Sequence, residues 1–155
     1  MPLCLWGTIS LFPACSTTQS SNHSTTLPIP ELDKESVWQL VEMAGRSVPS
    51  DAGPITLQFN PEAGTLRGQS SCNTYSADYT LSPTTYSYTG SLNSSATLKL
   101  SNHSHTDIQC AEAQMNTEQR YLALLAKCNH LSINDTKWTL TLSNKGRNPL
   151  VFSLQ

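Results

Sequence analysis

Charge is scarce in this chain. Of its 155 residues only 13% are Asp, Glu, Lys or Arg, and the formal net charge is -2, where an ordinary soluble domain has about a quarter of its residues charged. The 9 basic residues are spread along the sequence without a cluster. A nucleic-acid partner needs a basic stripe to displace counterions, and a polybasic membrane patch needs the same crowding, so neither is expected. Paired cysteine spacing is also missing. Cys4, Cys15, Cys72, Cys110 and Cys128 form no C-x-x-C, which argues against a structural zinc or a thioredoxin-type site. No G-x-S-x-G surrounds a serine, so nothing supports a hydrolase elbow. No apolar run reaches the roughly 20 residues that a membrane-crossing helix takes. There is no internal repeat, no second domain and no catalytic constellation. The expectation is a protein that is not an enzyme and holds no cofactor and no metal.

Ser, Thr and Asn take the place of the missing charges, as is common on the strand faces of exported proteins. Three regions follow from composition. Residues 1–15 open with a mostly apolar run, MPLCLWGTISLFPA, that stops at Cys15. It matches the apolar region of a secretory signal. Leu11-Phe12-Pro13-Ala14-Cys15 resembles a degenerate bacterial lipobox, which would make Cys15 the lipidated first residue of the mature chain. A soluble cleavage signal ending near Ala14 is the alternative. The first Lys or Arg is Lys34, so a start upstream of Met1 is a further expectation. Residues 16–34 are rich in Ser, Thr and Pro and cannot bury enough surface to order themselves; they read as a flexible tether. Residues 35–155 form the folded domain.

Within that domain, apolar and polar residues alternate with the period of two that marks a strand with one buried face. Val37 to Met43 reads as a strand. Ile55, Leu57 and Phe59 alternate with Thr56, Gln58 and Asn60, and Asn60-Pro61-Glu62-Ala63-Gly64 turns the chain into Thr65 to Ser71. A second hairpin is expected with its turn at Ser82-Pro83-Thr84, Tyr75, Ala77 and Tyr79 on one side and Tyr86 and Tyr88 on the return. Ala111 to Cys128 is the good helix candidate, rich in Ala, Leu, Glu, Gln and Met. Its inward positions are Met115, Leu122 and Leu125, with Glu118 and Arg120 toward water and Asn129 as a possible cap. Trp138, Leu140 and Leu142 alternate in a later strand, and Leu150 to Leu154 closes the chain. Short strands in hairpin order with one helix predict a mostly β (α+β) fold. It would be a small antiparallel, partly open β-barrel or β-roll with the helix packed across it.

The stretch from Gly68 to Tyr79 carries a resemblance. Cys72-Asn73-x-Tyr75-x-Ala77-x-Tyr79, preceded by Trp38-x-Leu40, Leu57-x-Phe59 and Gly64 to Gly68, is similar to the META domain family of HslJ-like proteins. Thr106-x-x-x-Cys110, a helix containing Glu118, Leu140-x-Leu142 and Leu150-x-Phe152 complete the pattern, which runs from about Ser36 to the C-terminus. Ser71 and Ala77 stand where the family favours glycine. The resemblance implies the barrel-and-helix fold and export in bacteria, frequently as a lipoprotein, with no established catalytic residues. It also implies links to envelope stress and resistance to certain antibiotics.

In an oxidising compartment Cys72 and Cys110 are the expected disulfide. Two buried thiols, or a link from Cys72 to Cys128, are the alternatives. Cys128 is otherwise a buried thiol at the helix end. His103 and His105 could reach a metal with Asp107 or Cys110, but a polar loop explains them as well. Asn73, Tyr75 and Tyr79 are candidates for a binding surface, while the tyrosines serve equally as cross-strand pairs. The function expected is a monomeric, non-enzymatic lipoprotein of the bacterial cell envelope, at the outer membrane and facing the periplasm. A lipid on Cys15 would hold it, and it would contribute to stress tolerance by binding an envelope protein or an apolar ligand. A small periplasmic lipid carrier and an enzyme with an unrecognised site are the alternatives.

Overall fold

The structure, a computed structural model, describes residues 32–88, 92–134 and 136–155, the side chains at 83–88 and 92–93 excepted. The expected signal at 1–15 with Cys15, and the tether as far as residue 31, lie outside the described residues. So do the side chains of Tyr86 and Tyr88.

Nine strands and one helix follow in the order β1 (Val37–Met43), β2 (Arg46–Ser47), β3 (Thr56–Asn60), β4 (Thr65–Gln69), β5 (Thr74–Tyr88), β6 (Leu92–His105), α1 (Glu112–Leu125), β7 (His130–Asn134), β8 (Thr139–Asn144) and β9 (Arg147–Leu154). Eight of the strands close a ring in the order β1-β3-β4-β5-β6-β7-β8-β9, with β9 returning to β1 and every pairing antiparallel. The barrel is therefore closed rather than partly open. β1 achieves this by pairing with β3 over Val37–Gln39 and with β9 over Trp38–Met43. The short β2 folds back on the end of β1.

Alternation places one face of each strand inside. Leu57 and Phe59, Leu131 and Ile133, Leu140 and Leu142, and Leu150 and Phe152 are all buried. A barrel of eight strands encloses a space just wide enough for side chains to fill. Trp38, Tyr121, Phe59 and Phe152 are the largest of the side chains that are completely enclosed. Leu32 also joins this core, so packing begins ahead of residue 35.

The second hairpin departs from expectation. β5 runs on through Ser82-Pro83-Thr84 without turning, and its register against β6 shifts between Pro83 and Thr85. Beyond Asp78, β5 pairs with β6 alone. Proline cannot donate to a ladder, and an edge segment with a bulge is where a strand accepts one. Trp138 is the other departure. It sits at φ 49° in the turn before β8 and is 57% exposed, so the inward alternation starts only at Leu140.

The two ends of the barrel differ. Val37 opposite Gln58, Trp38 opposite Leu154 and Thr139 opposite Ser153 put the entry of the chain and its C-terminus at one end. Met43 opposite Leu150, Gln69 opposite Thr74 and Asn144 opposite Arg147 define the other. The helix lies at that second end. Its buried residues are Glu118, Tyr121 and Leu125, the spacing of one helix face. Glu118 thus points inward, not to water as expected. Asn129 does not cap the helix, which closes at Ala126.

Candidate functional site

The joint between β4 and β5 meets the helix at the second end of the barrel. Ser70 to Asn73 turn the chain there, with the Ser70 N–H donating to the Asn73 carbonyl at 2.7 Å. Ser71 adopts φ 90°, a conformation that an L side chain strains to reach. This is one of the two positions where the family favours glycine. The Ser71 hydroxyl is tied to the Ala52 carbonyl. The other position, Ala77, faces the core opposite Leu66, where a small side chain suffices.

Glu118 is the centre of the joint. It is 5% exposed. Its Oε2 accepts from the Asn73 N–H at 2.7 Å, the Ser70 hydroxyl at 2.8 Å and the Cys72 N–H at 3.3 Å. Its Oε1 accepts from Asn73 Nδ2 at 2.8 Å. Burial by itself raises the pKa of the carboxyl. The Asn73 side chain and N–H, the Ser70 hydroxyl and the Cys72 N–H outweigh that cost and hold it below the usual range. The arrangement keeps a carboxylate charged without a cation, through charge-assisted hydrogen bonds.

Asn73 is saturated in turn. Its Oδ1 accepts from the Thr106 hydroxyl and the Ile108 N–H, each at 2.7 Å, and its Nδ2 also donates to the Ile108 carbonyl at 3.2 Å. One side chain therefore links β5, the segment before the helix, and the helix itself. Cys72 and Cys110 are disulfide-bonded across the same gap, with Cα atoms 6.0 Å apart. Among the described residues Cys128 is the free cysteine, and it is buried. Burial pushes its pKa up to about 12, which keeps it protonated and unreactive.

Asn73, Tyr75 and Tyr79 do not form a surface. All three are buried. The Tyr75 ring crosses Gly68, where a Cβ would lie 1.9 Å from the Thr56 carbonyl oxygen and 3.0 Å from the ring. With that space free, the Tyr75 hydroxyl donates to the Thr56 carbonyl at 2.8 Å and lies 2.6 Å from the Tyr121 hydroxyl. Burial raises the pKa of both phenols. Tyr79 meets the edge of Phe59 at 5.1 Å between ring centres. These are packing roles. Sequence reasoning missed Glu118 and Tyr121 as inward residues. The signal available was that Glu118, Tyr121 and Leu125 share one helix face.

The chemistry that remains accessible is on the outside. Gln58 lies beside Arg67, and Arg67 beside Ser76, in adjacent strands. With Gln69, Thr74, Tyr75 and Ser104 they line a groove of about 540 Å³. Arg67 Nε donates to Gln58 Oε1 at 3.2 Å. His103 and His105 are exposed on β6. Among the described residues no group of three or more His, Cys, Asp or Glu is placed to hold a metal ion.

Comparison with known proteins bears on the fold and the family. No curated protein matches this sequence. A solved structure described as "NMR structure of the protein from Burkholderia xenovorans" is similar to it, with a TM-score of 0.56 and 24% identity over 81% of this chain and 85% of that one. At that identity the likeness speaks for the fold alone. The META domain model matches residues 31–155, a span that takes in the buried Leu32 at one end and β9 at the other. On that match, the chain belongs to the META domain family.

Proposed function

We propose that the protein is a non-enzymatic binding module of the bacterial cell envelope, exported and held by a lipid on Cys15, that contributes to stress tolerance through a protein partner. The observation that carries the binding reading is the filled interior. Trp38, Tyr121, Phe59 and Phe152 occupy the barrel, which leaves the outer faces for contact and favours a protein over an enclosed apolar ligand. A lipid carrier would need a wide cavity under the helix, where Tyr121 and Leu125 are instead packed. Glu118, the buried carboxylate at the joint, spends its lone pairs on Asn73, Ser70 and Cys72. A group so engaged is a poor general acid or base, since catalysis needs it free to exchange a proton with a substrate. The groove across β3 to β6 is the surface of choice, because it carries the exposed Arg67 in a chain with few charges.

The test is complementation of a deletion strain challenged with an envelope-disrupting antibiotic. Wild-type protein should restore tolerance and incorporate a palmitate analogue. Cys15→Ala should lose the label and leave the membrane fraction. Arg67→Glu should fold and fail to complement. Unchanged fractionation of Cys15→Ala would remove the anchor, and full tolerance with Arg67→Glu would remove the groove.

A further inference from the structure

The basic residues, scattered in sequence, gather in the fold. The segments 95–101, 126–134 and 142–150 contain Lys99, Lys127, His130, Lys145 and Arg147 and no Asp or Glu. The structure brings these segments side by side. Thr97 pairs with His130, and His130 with Ser143. The Leu98 N–H donates to the Asn129 carbonyl at 2.9 Å, and the Asn129 N–H donates to the Ser143 carbonyl at 2.9 Å. Lys99 follows Thr97 on the outer face of β6, and Lys127 lies in the turn just after the helix. Lys99, Lys127, Lys145 and Arg147 are all exposed. Among the described residues the one cation–carboxylate pair is Lys34 with Glu62, far along the chain from these.

An open concavity of about 410 Å³ lies between these segments, lined by Thr97, Asn129, His130, Lys145 and Gly146. Its rim is held in place. Lys145 and Gly146 have φ of 49° and 77°, the tight two-residue turn that favours glycine at its second position. The Lys145 N–H donates to Asn129 Oδ1 at 2.9 Å and the Gly146 N–H to the Ser143 hydroxyl at 3.2 Å. These bonds fix the backbone at Lys145, which lines the same space as Thr97 and His130. Thr97, His130 and Lys145 border one concavity, and among the described residues no carboxylate lines it.

We propose that this end of the barrel is a binding site for a phosphate group, either free or carried on a lipid headgroup. Lys145 on the lining, with Lys99, Lys127 and Arg147 exposed on the flanking segments, favours a compact multivalent anion over chloride, and the Thr97 hydroxyl can donate to one of its oxygens. The site lies at the barrel end opposite the entry of the chain. It rests on neither export nor lipidation.

The experiment is a titration of the full chain, labelled with nitrogen-15, with inorganic phosphate against sodium chloride of equal ionic strength. The expected result is saturable amide shifts at Thr97, Asn129, His130, Lys145 and Gly146 with phosphate and not with chloride. The double variant Lys99→Glu with Lys145→Glu alters two exposed side chains. It should keep a dispersed spectrum and bind phosphate at least about tenfold more weakly, equivalent to about 1.4 kcal/mol. Flotation with phosphatidylglycerol vesicles, and with phosphatidylcholine vesicles as control, separates the two sources. Capture by the anionic vesicles that free phosphate competes away assigns a lipid headgroup. Saturable phosphate shifts without capture assign a free phosphate. Shifts that do not saturate, that map instead to Arg67 and Ser76, or that persist unchanged in the double variant would overturn the site. Binding of a single-stranded oligonucleotide by the same residues, without saturable phosphate binding, would overturn it in favour of nucleic acid.

Discussion

The barrel interior and the helix joint are both buried, and they are held by different physics. The interior is apolar side chains meeting across eight strands, stabilised by removal of area from water, an effect without direction. The joint is a carboxylate, an amide, two hydroxyls and backbone N–H groups in fixed geometry, crosslinked by Cys72–Cys110. An interior tolerates a substitution that conserves volume. A saturated polar network does not, because each lost partner leaves another group buried and unmet. The difference shows how a small closed barrel can hold a helix across one end. Apolar packing supplies adhesion, and the network supplies the one allowed orientation.

Near-isosteric exchanges break the symmetry between these regions most sharply. Asn73→Leu keeps the volume but strips partners from Glu118, Thr106 and Ile108, and should cost about 4–5 kcal/mol in urea unfolding at neutral pH. Leu140→Met in the interior should cost less than about 1.5 kcal/mol in the same assay. Equal losses would mean that the joint is no more directional than the core. Removal of the crosslink comes next. The sequence separation of 38 corresponds to about 4 kcal/mol in the chain-entropy description, so Cys72→Ser with Cys110→Ser should lower the urea midpoint by up to that equivalent.

Glu118→Gln should cost about 2 kcal/mol, since with its oxygen turned to Ser70, Cys72 and Asn73 N–H the amide nitrogen meets the donor Asn73 Nδ2 where an oxygen accepted it. It should also change the response to acid. The folded pKa of Glu118 lies below its ordinary value of 4.5. The unfolded chain therefore takes up the proton more readily, and the carboxylate contributes stability above about pH 4.5 that is lost as pH falls through the folded pKa. The wild-type protein should lose stability more steeply below that pH than Glu118→Gln. Parallel acid profiles would show that the carboxylate is not the titrating element. The smallest effect is at Ser71, φ 90°. Ser71→Ala loses the bond to Ala52 and keeps the backbone strain. Ser71→Gly loses the bond and relieves the strain, so it should be more stable than Ser71→Ala by about 1 kcal/mol.

Much of the ladder was legible because strand signals are local. Val37–Met43 is the strand that its residues predict, and Leu57 and Phe59 are buried as their alternation predicts. Where a signal depends on neighbours, reading failed. Ser82-Pro83-Thr84 reads as a turn from its residues alone, and it is a strand because β5 has a free edge there. Glu118 reads as a solvent-facing charge, and it is buried because four donors arrive from 45 to 48 residues away in sequence. Asn73, Tyr75 and Tyr79 were identified as important residues, but their inward direction is set by strand register.

By itself, then, the sequence determined the class of fold and the family pattern, since period and turn residues are properties of short stretches, and it left the partner of Cys72 open between Cys110 and Cys128. Only the tertiary structure decided that the barrel closes and that Glu118 is a buried anion. It alone gathered Lys99, Lys127, Lys145 and Arg147 at one end of the barrel. Each of these depends on which distant strands become neighbours, and that is set by packing of the whole barrel.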